Sequence, residues 1–345
     1  MPTSQTALDV QNQLPPVPVA LTRVGVAGVE KLIRVGRPGH EIPYLATFET
    51  VVDLGPNQKG AHMSRFEEVV NAAIAEEVVA GGPVLRAEDL ARRVAVVIRD
   101  RQGARRAEVR VSARYPEERP APVSGIPSQE LFTLHGIAVA TEAGTRTVTG
   151  VTAQGITACP CAQEHLRDGA GRGLAEAGFD DEQIATILDV VPVATHNQRG
   201  LGTLYLGRIN EAAGTNGDGG EGGASHPVDV DAIDMVRLVE GSMSSEIYEL
   251  MKRSDEGSVV EKAHRNPRFV EDCVRELLRS VVERFGGLSD DAFVLARQEN
   301  LETIHQHDVV AERSGTLGEL RAELGRGVEP AHHTSLREWL DAAGS

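Results

Sequence analysis

Positions 43–54 alternate, with Tyr44, Ala46, Phe48, Thr50 and Val52 on one side, which is the period of a strand. The β-branched stretch 21–35 ahead of it reads as a partner strand, and Gly36-Arg37-Pro38-Gly39 as the turn of a hairpin. The period then changes. After His62, residues Phe66, Val69, Val70, Ala73, Ile74 and Val78 recur at helical spacing, Ser64 and Glu67 have capping-box spacing, and Gly81-Gly82-Pro83 stops the helix. Leu90, Val94, Val97 and Ile98 mark a second helix over about 87–99. Alternation returns at 107–115 and, past a proline-rich connection at 116–128, at 131–140. The order so far is β-β-α-α-β-β.

The same order recurs downstream. A strand at 146–160 has its partner at 201–209, with a helical excursion at 180–190 between them, and 214–223 reads as a glycine- and acid-rich loop. Val230, Ile233, Val236 and Val239 mark one helix. Asn266-Pro267 opens another, with Phe269, Val270, Cys273, Val274, Leu277, Leu278, Val281 and Val282 inward, ending at Gly286-Gly287. Strands at 292–297 and 301–311 and a helical tail from Thr316 complete the chain. This divides it into an arm (1–18), two β-β-α-α-β-β units (19–142 and 143–315) and a tail (316–345), an α+β protein. The repetition is one of element order, not of residues.

Composition narrows the function. With 345 residues and a formal charge of -16, the chain lacks the basic surface that nucleic acid requires. No run approaches the ~18 apolar residues of a membrane span, and the polar N-terminus does not have the order of a signal peptide. Three cysteines form no disulfide framework. The expectation is a cytoplasmic protein.

Against this background Cys159-Pro160-Cys161 stands out. On an extended backbone both sulfurs would face one side; equally, the pair could be small core residues at a strand end. His196-Asn197-Gln198-Arg199 is a polar run at a strand mouth, costly to bury without partners. His305 and His307 share one face of the expected last strand, with Glu302 on the other. Taken together these are the donor types of a transition-metal site. Cys273 sits on an apolar helix stripe and reads as core, while His62, His264, His332 and His333 have no such company. Glu246 and Glu261 lie in polar settings between helices, and Glu276 on a long helix beside its apolar stripe; on composition alone, each reads as a solvated charge. A local basic patch of Lys252, Arg253, Lys262, Arg265 and Arg268, to which Arg199 and Arg65 could add, would suit a polyphosphate.

Gly60-Ala61-His62-Met63-Ser64-Arg65-Phe66, Gly155-Ile156-Thr157-Ala158-Cys159-Pro160-Cys161, His196-Asn197-Gln198-Arg199-Gly200, Tyr248-Glu249-Leu250-Met251-Lys252-Arg253, Asn266-Pro267-Arg268-Phe269 and Glu302-Thr303-Ile304-His305-Gln306-His307-Asp308 resemble, in order, the signatures of the type IB GTP cyclohydrolase I family. The resemblance covers roughly 15–315 and implies a tunnelling fold assembled as a homotetramer. It implies that GTP is opened by metal-activated water, with formate lost and the ribose closed into a dihydropterin. One divalent metal per site (Fe²⁺, Mn²⁺ or Zn²⁺) would be held by Cys159, His196, His305 and Glu261 or Glu246. Cys161, His307 and Glu302 would share proton transfer or support the ligands, and Glu276 would bind guanine. The main expectation for the product is 7,8-dihydroneopterin triphosphate, for folate synthesis. The alternative is the archaeal type, a 2',3'-cyclic phosphate for methanopterin, favoured by the long 162–193 excursion and by Ser242-Met243-Ser244-Ser245-Glu246.

Overall fold

The computed structural model describes residues 10–35, 42–80, 85–211, 230–327 and 330–342. The expected turn at 36–39, the helix stop at 81–83, the loop at 214–223, residues 1–9 of the arm and the side chain of Val78 lie outside the described residues. The architecture is α+β, built on one large antiparallel sheet. Strands β1 (Leu21–Val35) and β2 (Ile42–Leu54) pair as expected. Helices α1 (Met63–Ala80) and α2 (Ala87–Gln102) follow, then β3 (Arg106–Pro120), β4 (Pro127–Thr141) and β5 (Gly144–Ala158). Next come α3 (Pro160–Glu176), α4 (Asp181–Val190), β6 (Asn197–Glu211), α5 (Ala232–Ser242), the two-residue β7 (Ser245–Glu246), α6 (Arg253–Arg265) and α7 (Val270–Arg284). The chain ends in β8 (Phe293–Leu301), β9 (Val309–Thr316), α8 (Leu317–Arg326) and α9 (Leu336–Asp341). The sheet order is β1-β2-β3-β4-β5-β6-β8-β9, with β7 alongside β5.

Strand alternation sorts the side chains onto two faces. Val109 and Val111 of β3 pack with Phe66, Leu90 and Val94 of α1 and α2. Further along the same face, Leu134, Val151, Leu204 and Val294 pack with Val236, Leu277 and Leu320 of α5, α7 and α8. The opposite face is polar over much of its area. His135 bonds Ser112 Oγ at 2.8 Å and Thr152 Oγ1 at 3.0 Å, and Thr152 reaches Thr203 at 2.9 Å. Burial pushes His135 down to about 4, so its ring is neutral at pH 7. At one corner of this face α9 places Trp339 against Phe293 and Ile137. No described helix is long and apolar enough to cross a membrane.

Several expectations change. The region 116–128 is not an open connection. Pro116, Pro120 and Pro127 lie in the paired arms of a long β3–β4 hairpin, and only the turn at 121–126 is left over. Ser64 is inside α1, which starts at Met63, so it is not the cap. Asn266 caps the end of α6 instead of opening α7, whose N-cap is Phe269. The strand expected at 301–311 breaks: Glu302 N–H donates to the Asp308 carboxylate at 3.2 Å, closing a loop over 302–308 between β8 and β9.

Candidate active site

The adjoining ends of β5 and β6 carry the chemistry. β5 stops at Ala158 because Pro160 has no N–H for the ladder and its fixed φ suits the first turn of a helix. Cys159 is left as the extended N-cap of α3 (φ −74, ψ 117). Opposite it β6 begins at Asn197, in register with Ala158. Cys159 N–H donates to His196 O at 3.1 Å, and Thr195 Oγ1 donates to Cys159 O at 3.0 Å. The cysteine and the histidine, distant in sequence, are thus backbone neighbours.

Three devices fix this junction. Gln163 Nε2 donates to Val193 O and His264 O, both at 2.6 Å, tying the first turn of α3 to the 193–196 segment and to α6. His264, read as isolated in the sequence, is buried with Nε2 3.2 Å from Thr195 O and Nδ1 2.8 Å from Val260 O. Gly155 lets the segment after α5 lie against β5: a Cβ there would sit 2.8 Å from Met243 Sδ and from Ser245 O. In the space this leaves, Ser244 N–H donates to Ile156 O at 2.9 Å and Ala158 N–H to Ser244 Oγ at 3.1 Å. The glycine of one motif and the serines of another are therefore one packing feature.

The His196 ring has two acceptors on its Nδ1 side. Gln198 Oε1 is 3.2 Å away and Glu302 Oε2 3.9 Å away. The Glu302 side chain is only 6% exposed, and its Oε2 is buried without a hydrogen-bond partner. A buried carboxylate oxygen left unsatisfied is costly. Thr303 Oγ1 donates to Asn197 O at 3.1 Å, which anchors the 302–308 loop beside this pair.

Other expected site residues are placed differently. Cys161 is exposed in the first turn of α3, so the two sulfurs do not share a strand face; Pro160 turns the backbone between them. His305 and His307 are exposed on the loop, their rings stacked at 5.1 Å. Glu246, on β7 opposite Gly155, is paired with Lys262 and accepts from Tyr248 Oη at 3.2 Å. Burial acts to raise Glu246, but the Lys262 ammonium, a backbone hydrogen bond and the Tyr248 hydroxyl together hold the carboxyl below its usual range. Glu261 lies on the exposed side of α6 and pairs with Arg265 at 2.8 Å. Glu276 is half-buried on α7 and held by Arg279 at 2.6 Å. Cys273 is core, as expected, with burial pushing its thiol up to about 12.

The basic patch is not one cluster within a chain. Lys252 and Arg253 sit at the start of α6 and Lys262 and Arg265 at its end, about 18 Å apart at 1.5 Å per residue. Arg268 turns inward to Ser242 O at 2.7 Å, and Arg199 is exposed at the start of β6. Arg65, on α1, donates to Arg101 O at the opposite end of the sheet.

Among the described residues no group of three or more His, Cys, Asp and Glu side chains is spaced to hold a metal ion. The donor chemistry at the junction nonetheless fits one. Cys159 and His196 are joined through their backbones, and a buried carboxylate oxygen of Glu302 lies 3.9 Å from the imidazole Nδ1; thiol and imidazole are donor types suited to a borderline divalent cation.

Known proteins resemble this chain over most of its length. A family model described as type I GTP cyclohydrolase folE2 matches residues 8–311. A protein named GTP cyclohydrolase MptA from Methanococcus aeolicus is 45% identical over 323 residues, 92% of this chain and 99% of its own. Its namesake from Methanocaldococcus jannaschii is 40% identical over the same length, 97% of its own. Among solved structures, uricase from Arthrobacter globiformis aligns with a TM-score of 0.48 at 8% identity, covering 91% of this chain and 98% of that one.

Proposed function

We propose that this chain, which belongs to the type I GTP cyclohydrolase family and is a GTP cyclohydrolase, converts GTP and water to formate and 7,8-dihydroneopterin 2',3'-cyclic phosphate. The archaeal-type product is preferred to the triphosphate of the folate pathway. Relatives over nearly the whole chain carry the name GTP cyclohydrolase MptA, and the α3–α4 excursion and the 242–246 segment packed on Gly155 accord with that branch. Closing the cyclic ester retains one phosphate and releases the other two as pyrophosphate.

The observation that carries the reading is the junction itself. Cys159 and His196 are hydrogen-bonded neighbours at the mouth of the β5–β6 ladder, with the buried Glu302 oxygen aimed at the imidazole. Cys159 and His196 would hold one divalent metal, Fe²⁺, Mn²⁺ or Zn²⁺, with His305 and Glu246 or Glu261 as further ligands. The bound ion would supply the polarisation that makes water nucleophilic toward C8 at neutral pH. Around it, Glu302 would orient His196, and Cys161 and His307 would exchange protons with the opening ring. Glu276 would accept from the guanine N1–H and amine. Lys252, Arg253, Lys262, Arg265, Arg199 and Arg65 would hold the phosphates.

Because these groups are spread over one chain, the reading includes assembly. The chain would be two tandem units (19–142 and 143–315) of a tunnelling fold, closing into a barrel in a cytoplasmic homotetramer that gathers them. The test is to incubate the protein with GTP and Mn²⁺ or Fe²⁺, assay formate, and weigh the pterin. The expected product has the mass of the cyclic monophosphate with pyrophosphate released. A triphosphate would restore the folate reading, and GTP binding without formate would overturn the reaction.

A further inference from the structure

We infer that Gln198 is the positioning residue that fixes the tautomer of His196, keeping the proton on Nδ1 and turning the Nε2 lone pair toward the metal. The inference rests on the reading that His196 is a ligand, and it concerns a residue given no role above.

Gln198 is held before any ligand arrives. It is 5% exposed, and it stands opposite Thr157 in the β5–β6 register, a residue with no exposure at all. Its Nε2 donates to Thr157 Oγ1 at 3.0 Å. With the amide nitrogen engaged there, the carbonyl oxygen is the end that faces His196 Nδ1, at 3.2 Å. Glu302 brings a second acceptor to the same nitrogen at 3.9 Å, and a carboxylate has no proton to give. Rotating the amide would set Gln198 N–H groups against a bare Nδ1, with the Glu302 carboxylate left facing that lone pair. Of the two arrangements, the one with the proton on Nδ1 suits both the Gln198 oxygen and the Glu302 carboxylate. A neutral imidazole then has one free lone pair, on Nε2, which is the state a metal ligand needs. Strand geometry supplies the reason for the spacing: residues two apart face one side, so 196 and 198 meet while Arg199 points away.

The test uses the full-length protein and Zn²⁺, with affinity measured by competition against a chromophoric chelator. Gln198→Leu removes the acceptor and Gln198→Glu keeps one. The expected result for Gln198→Leu is about 10–100-fold weaker Zn²⁺ binding, with kcat reduced and KM for GTP unchanged. Gln198→Glu should bind Zn²⁺ at least as well as the parent. Parental affinity in Gln198→Leu would overturn the inference, and so would an equal loss in both variants. If Gln198→Leu does not fold, Gln198→Glu decides alone: retained affinity supports the inference and lost affinity overturns it. His196→Ala separates this from the metal reading. If that variant keeps full Zn²⁺ affinity, the metal reading itself fails and takes the inference with it. If His196→Ala loses Zn²⁺ while Gln198→Leu keeps it, only the inference fails.

Discussion

At the Gly144 end of β5, Arg106 bonds Glu108 at 3.0 Å and Asp341 at 2.9 Å, Arg105 bonds Asp53 at 3.0 Å, and Arg110 bonds Glu108 at 2.9 Å. These groups line a cavity of 1390 Å³. At the Ala158 end, about 45 Å along the strand at ~3.3 Å per residue, Glu302 keeps a buried oxygen with no partner beside a histidine and a cysteine. The first end has volume and a set of ion pairs that compensates the carboxylates Asp53, Glu108 and Asp341, although one buried nitrogen, Arg106 Nε, has no hydrogen-bond partner. At the second end the unsatisfied atom belongs to a carboxylate. A large concave site is the usual first guess for catalysis, but here compensation of charge is the better guide. Groups that satisfy one another stabilise a fold, whereas groups left wanting in a buried setting are ready for a ligand.

Substitutions at the two ends should therefore separate activity from stability. The largest effect is expected for His196→Ala, which should lose both bound metal and formate release; metal analysis and a formate assay check it. Next comes Glu302→Gln, which weakens the acceptor facing Nδ1 and should lower kcat about 10–100-fold while KM for GTP stays put. At the far end, Arg106→Ala should leave turnover unchanged and cost about 1–3 kcal/mol in denaturant unfolding, because Glu108 loses one of its partners. A fall in kcat there as deep as in Glu302→Gln would erase the contrast between the ends.

The smallest effect concerns pH. Burial acts to raise Glu108, but Arg110, Arg23 and Arg106 together hold its carboxyl below its ordinary 4.5. A carboxyl held low in the folded state contributes stability that is present above 4.5 and lost as pH falls through the folded value. Arg106→Ala should accordingly show a shallower loss of stability on acidification, read from unfolding midpoints below pH 5.

How much of this was legible in the chain depended on burial. The strands at 43–54 and 107–115 and the stripe of α7 announced themselves because one face of each is buried. α3 did not: none of its residues is buried, so no apolar stripe marks it, and only the excursion as a whole was visible. The two cysteines looked equivalent by spacing, and the difference between them follows from Pro160 starting a helix. His305 and His307 looked like a strand pair because nothing local reveals that Asp308 bonds back to the Glu302 amide. Gln198 was visible only as part of a polar run. Its partner Thr157 is 41 residues away, and the register that joins them is a property of the sheet.

The most direct test of the central claim, that the Cys159–His196 junction is the cyclohydrolase centre, is formate release from GTP by Cys159→Ala, with folding confirmed by its unfolding transition. The expected result is a folded protein that yields no formate. Formate at the parental rate from that variant would contradict the account.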